Sequence, residues 1–267
     1  MKELGIADKP LSNPCFNLSG QQFAATSRHE VFVWNTSDWS LSCSFKISGD
    51  DIQGTSFGKS GTLLVLNSVE KDSGRLSEWE LPSGKLARSL SLGRDLPIAA
   101  VCSPAGGLLA VSVDSDKLLL IDSDLFVAKT VQLPVDRMSY LAFSRDGKRL
   151  AAANEGNTFC LIDTGAGKLV SYHRVSASDI SGMAFTQDNR LLAISDHEQR
   201  CVHFFDLETT RVLFALDAMH FRPRSLVLSP DGRFLYAATR EANSEGLSGV
   251  LEWDLQPREN DHLSVKK

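Results

Sequence analysis

Few residues in this chain have the types and spacing that chemistry requires. Ser195, Asp196 and His197 are adjacent. A nucleophilic triad needs its members to converge in space, and neighbours in a turn point apart, so this run reads as a polar hairpin turn. No G-x-S-x-G nucleophile elbow occurs. The histidines at 29, 173, 197, 203, 220 and 262 form neither H-E-x-x-H nor a close Cys/His spacing, so no metal site is expected. No catalytic residue and no cofactor is assigned.

One charged pattern recurs. Asp8, Asp51, Asp95, Asp136 and Asp179 fall at similar intervals, and each is soon followed by an apolar residue: Leu11, Ile52, Pro97, Met138 and Ile180. A sixth segment keeps the apolar residue, Pro223, but is basic, with His220, Arg222 and Arg224. Arg94 and Arg137 sit beside two of the acids. Each Asp either caps its own turn by accepting backbone N–H bonds, or belongs to a charged rim that selects a partner by electrostatic complementarity. On the second reading the binding residues are Asp51, Asp95, Asp136, Arg137, Asp179, His220, Arg222 and Arg224.

The elements that must position these residues come from a repeat. Phe143 to Asp163 reads FSRDGKRLAAANEGNTFCLID: a strand end, a turn, a strand, a second turn and another strand. No 3.6-residue period of an amphipathic helix appears in it. Copies align on Gly20, Gly61, Gly106, Gly147, Asn189 and Gly232, spaced by 41, 45, 41, 42 and 43 residues. Asn at the fifth anchor fits, because Asn also enters the left-handed region. Each copy continues into an apolar strand, such as VFVWN ending at Asn35 or LLLID ending at Asp122, and most add a fourth. Four strands, A to D, in about 42 residues match a propeller blade. The acids above lie in the connections from strand D of one blade to strand A of the next.

The chain resembles the WD40 family of β-propellers in a divergent form, most closely at SPDGRFL from Ser229 and at Trp253-Asp254. The family's Gly-His pair is nearly absent, and only His220 sits near its place. The resemblance implies an all-β propeller, and the six repeats imply six four-stranded blades closed by an N-terminal strand. The alternative is part of a seven-bladed propeller.

Residues 1–257 are expected to form one domain and 258–267 a polar tail. Leu4 stands 12 residues before Phe16, as Phe45, Leu90, Val131 and Leu216 stand before their own anchors. Glu3 to Ala7 is therefore expected to supply the missing D strand of the last blade, pairing with residues 250–255 to remove an exposed sheet edge. Asn67 to Arg75 and Arg240 to Gly249 are the longest departures from the repeat, read as long B–C turns. No signal pattern or 18-residue apolar run occurs. The 5 cysteines are odd in number and lack a C-x-x-C pair, which suits buried reduced thiols. These features suggest a cytoplasmic monomer with no membrane partner, and a net charge of −5 offers no basic footprint for nucleic acid.

The leading reading is a non-catalytic interaction platform that binds another protein through the D–A loops. One alternative is an enzyme, because Ser229 to Glu241 also resembles propellers of the lactonase type. Another is a sensor domain that takes a small ligand or cation.

Overall fold

In the computed structural model every element is a strand, and no helix among the described residues is long and apolar enough to cross a membrane. The structure describes residues 11–17, 19–49, 51–58, 61–70, 73–175, 179–219, 221–229, 231–241 and 248–255. The chain divides into two compact units, Met1–Arg174 and Val175–Lys267.

The first unit holds four sheets. Blade 1 is β1 (Ser12–Phe16), β2 (Gln22–Ser27), β3 (Glu30–Asn35) and β4 (Leu41–Lys46). Blade 2 is β5 (Ile52–Phe57), β6 (Thr62–Glu70), β7 (Ser73–Glu80) and β8 (Lys85–Gly93). Blade 3 is β9 (Pro97–Cys102), β10 (Leu108–Val113), β11 (Lys117–Asp122) and β12 (Val127–Gln132). Blade 4 is β13 (Tyr140–Phe143), β14 (Arg149–Ala153), β15 (Thr158–Asp163) and β16 (Lys168–Arg174). The second unit holds blade 5, made of β17 (Ile180–Phe185), β18 (Leu191–Asp196), β19 (Cys201–Asp206) and β20 (Arg211–Asp217). Its blade 6 has three described strands, β21 (Phe221–Leu228), β22 (Phe234–Glu241) and β23 (Ser248–Asp254). All six sheets are antiparallel meanders in chain order, so the fold class is all-β with six sheets of propeller-blade type. Asp8 and the segment Glu3 to Ala7 lie outside the described residues.

The period-2 alternation of strands explains the uninterrupted apolar runs. On β11, Leu118 and Leu120 pack toward Met138, Leu150 and Ile162 of blade 4, while Leu119 and Ile121 pack toward Leu66 and Leu76 of blade 2. Both faces are buried, so no position on that strand needs a polar side chain. Each fully buried Leu or Ile contributes roughly 1.5–3 kcal/mol. The C–D pairing carries a bulge at a matching place in every four-stranded blade, Val33/Trp34, Glu78/Trp79, Leu120/Ile121, Leu161/Ile162 and Phe204/Phe205, and blade 2 has a second at Gly74/Arg75. A bulge increases local twist, so the outer strand turns away from its neighbour at that point.

The A–B turns are built as the repeat predicts. Asn189 takes the left-handed conformation at φ 58°, matching Gly147 at 70° and Gly232 at 73°. In blades 4 and 5 the side-chain oxygen of Asp146 or Asp188 accepts the Ser144 or Thr186 hydroxyl at 2.7 and 2.6 Å. The same oxygens accept the backbone N–H of Lys148 and Arg190. Asp231 accepts Ser229 Oγ and Arg233 N in the same way in blade 6.

The two long B–C segments differ from the expected loops. β6 and β7 stay paired through Glu70 and Ser73, and β22 and β23 through Arg240 and Ser248, so strand hydrogen bonding runs into both insertions. Asn67, expected in a turn, is fully buried in β6 and donates to the carbonyls of Ser48 and Ser68. Polar composition suggested loops here, but extended backbone pairing needs no apolar side chains once a hairpin projects from the sheet.

Candidate functional site

A four-stranded meander places its A–B and C–D turns at one end, and its B–C turn and D–A connection at the other. Buried apolar residues seat most D–A connections, and buried hydroxyls add to them at two. The apolar residue is buried in five cases: Ile52, Pro97, Met138, Ile180 and Pro223. Leu11 remains 38% exposed. Met138 is therefore a core residue between blades 3 and 4. Strand B then supplies a buried polar group. Ser112 Oγ donates to Met138 O at 2.6 Å, and Ser195 Oγ to Arg224 O at 2.7 Å. Ser181 Oγ of strand A donates to Pro223 O at 2.7 Å. These hydroxyls tie one blade to the D–A backbone of the next. The sequence carried a signal for them, a polar residue at a fixed place in an otherwise apolar strand: Thr26, Asn67, Ser112 and Ser195 all lie ten residues after their A-strand anchors. They are fully buried.

With the backbone so held, the D–A acids face side chains. Asp51 Oδ1 lies 3.7 Å from His29 Nε2, and Asp95 Oδ1 lies 3.4 Å from Lys117 Nζ. Asp136 and Arg137 are exposed, with Arg137 at φ 53°. In the second unit Asp179 Oδ2 lies 2.8 Å from His197 Nδ1, and Glu198 Oε1 lies 3.1 Å from Nε2 of the same ring. Arg222 Nη1 stands 3.7 Å from Glu198 Oε1, while its Nε is buried with no hydrogen-bond partner among the described residues. Arg222 and Arg224 were expected in a loop but lie within β21, which begins at Phe221. Arg224 is exposed, and His220 lies outside the described residues.

Ser195, Asp196 and His197 point apart. Ser195 faces backbone carbonyls, Asp196 Oδ1 accepts the N–H groups of Glu198 and Gln199, and His197 faces Asp179. Asp179, His197 and Glu198 do bring potential ligand atoms within 4.8 Å of one another, a donor set that suits a divalent cation. Both imidazole nitrogens already face a carboxylate and Arg222 faces Glu198, so the arrangement reads as an ion-pair chain.

At the opposite end of blades 1 to 3 lies a cavity of about 650 Å³, which the sequence did not signal. Its walls include Phe16, Phe57, Glu78, Arg88, Asp122 and Asp124. Arg88 pairs with Glu78 through Nε and donates to the carbonyls of Asp124 at 3.1 Å and Ser123 at 2.7 Å. The Glu78 hydrogen bond pushes the Arg88 pKa up. Cys15 and Cys102 also line the cavity, and burial pushes both thiols up to about 11, leaving them protonated at neutral pH.

No family model matches the chain. It is similar to the WD repeat-containing protein SL1-17 of Schistosoma mansoni, with 22% identity over 188 residues. The match takes in 68% of this chain and 60% of that protein, so the chain spans less than two thirds of its relative's length. The likeness and the six blade-type sheets together fit a divergent WD40-like propeller.

Proposed function

We propose that the chain is a non-catalytic interaction platform that docks another protein at the D–A end of its blades. The reading takes residues 1–257 as one domain, 258–267 as a polar tail, and the molecule as a cytoplasmic monomer. One observation carries it. Asp136 and the Asp51–His29 pair are exposed, in connections anchored by the buried side chains of Met138 and Ile52. A partner can replace an exposed ion pair at little cost, since such pairs contribute about 0–1 kcal/mol. Fixed charge on a rigid frame favours fast, selective encounter. The WD repeat relative supports interaction as the general function.

Affinity capture from native lysate tests the reading, comparing wild type with Asp95→Ala/Asp136→Ala in one variant and Arg222→Ala in another. Loss of a captured protein at an unchanged melting temperature supports docking at this end. A captured protein that all variants retain rules it out.

A further inference from the structure

We infer a second binding site, in the cavity at the A–B end of blades 1 to 3, for a basic side chain presented by an extended peptide. It lies at the other end of the blades from the D–A acids and does not depend on them. Three features converge. The first is size: about 650 Å³ falls within the usual range of ligand pockets and admits a long side chain together with flanking backbone.

The second is charge. The described lining holds three carboxylates, Glu78, Asp122 and Asp124, against one guanidinium, Arg88, leaving a formal charge of −2. Arg88 and Glu78 satisfy each other. Asp122 spends one oxygen on the N–H groups of Asp124 and Phe126, at 2.9 and 3.0 Å. Asp124 is 74% exposed and stands 3.9 Å from Arg88, beyond hydrogen-bond reach. The unspent negative charge therefore lies on Asp122 and Asp124, at the C–D turn of blade 3.

The third is the apolar wall. Phe16 is 58% exposed, tilted against Phe23 with ring centroids 4.9 Å apart, and forms the cavity lining with Phe57, Leu64 and Leu108. An Arg or Lys side chain matches this arrangement, with an aliphatic stem for the apolar wall and a charged head for the carboxylates. An exposed aromatic face adds a cation–π contact.

The test is fluorescence anisotropy on the full chain, using a short labelled peptide of alternating arginine and glycine. Its glutamate–glycine counterpart is the control, and arginine amide the competitor. Expected are saturable binding of the basic peptide alone, weak competition by arginine amide, and a loss of about tenfold or more for Asp122→Asn/Asp124→Asn. Phe16→Ser should weaken binding further, and Asp114→Asn/Asp116→Asn, the same charge change at the exposed B–C turn of the opposite end, should leave it unchanged. The inference is overturned by no saturable binding, by equal binding of the acidic peptide, or by equal loss with Asp114→Asn/Asp116→Asn. Arginine amide binding as tightly as the peptide would also overturn it, marking a small-ligand pocket instead of a peptide site.

Discussion

Aspartates in the hairpin turns and aspartates in the D–A connections do different work. Asp146, Asp188 and Asp231 accept a hydroxyl and a backbone N–H from their own turns, Asp163 caps its C–D turn through the N–H of Ala166, and Asp206 caps its own through the N–H groups of Glu208 and Thr209 while also pairing with Arg190. Asp51, Asp95 and Asp179 instead face His29, Lys117 and His197. The first group is spent on local structure. The second is held by partners that solvent or another protein can replace. What fixes these connections is buried apolar anchors, joined at Met138, Pro223 and Arg224 by hydroxyl-to-carbonyl bonds, and the exposed Asp136 belongs to neither set. Substitutions should separate the two roles.

The largest effect is expected where two blades approach most closely. A Cβ at Gly182 would lie 2.1 Å from the carbonyl oxygen of Arg224, a backbone atom that cannot step aside. Gly182→Ala should cost about 3 kcal/mol or more. Gly54 holds the same repeat position in blade 2, but its Cβ would meet Ala100 Cβ at 3.2 Å, and Gly54→Ala should cost about 1 kcal/mol or less. Urea unfolding of both variants checks the pair. Equal losses would mean that the close approach at Gly182 is not what seats the connection.

Next comes Ser112, whose hydroxyl donates to Met138 O and accepts the N–H of Ala99 at 3.2 Å. Ser112→Ala takes the hydroxyl from the buried Met138 carbonyl and the half-buried Ala99 N–H and should cost about 2 kcal/mol. Hydrogen exchange should show the loss spreading to the Asp136–Met138 connection, and no such spread would break the claim that the hydroxyl fixes it.

Much of this was legible in the residues. The glycine-to-glycine spacing showed the blades, and Asn189 declared its left-handed backbone. The buried residue of five D–A connections stood five before its anchor, as at Ile52, Met138 and Ile180. The Asp roles were not legible, because capping and ion pairing use the same residue type and differ only in what lies across the gap. Asp95 meets Lys117 from 22 residues away, and only the folded blade brings them together. The cavity was invisible for a related reason. Arg88 crosses to the 123–124 turn, a contact between blades that no repeat period encodes.

Acid should act on the hairpin turns. Hydroxyl and backbone hydrogen bonds hold the Asp146, Asp188 and Asp231 carboxyls below the ordinary carboxylate range. A carboxyl depressed in the folded state stabilises the fold fully above its unfolded pKa, near 3.8, and the stabilisation is lost as pH falls through the folded value. Melting temperature followed from neutral pH to about 3 should therefore fall on the acid side, and Asp146→Asn/Asp188→Asn should flatten that fall. An unchanged acid slope would mean these carboxyls are not the groups that titrate.

The smallest effect on stability is expected at Asp136. Its side chain is exposed in a connection whose anchor, Met138, lies two residues on and is 1% exposed. Asp136→Ala removes charge without touching that anchor, so its unfolding free energy should stay within about 0.5 kcal/mol of wild type. On the docking reading, the same substitution lowers the rate of partner association and its salt dependence, because an exposed interface charge acts mainly on the encounter step. Stopped-flow association at two ionic strengths, beside urea unfolding, measures both quantities on one variant. Intact stability with a slower, less salt-sensitive encounter places the role of Asp136 outside the fold. Lost stability with an unchanged encounter would return it to the turn-capping aspartates and leave the D–A end without its distinguishing charge.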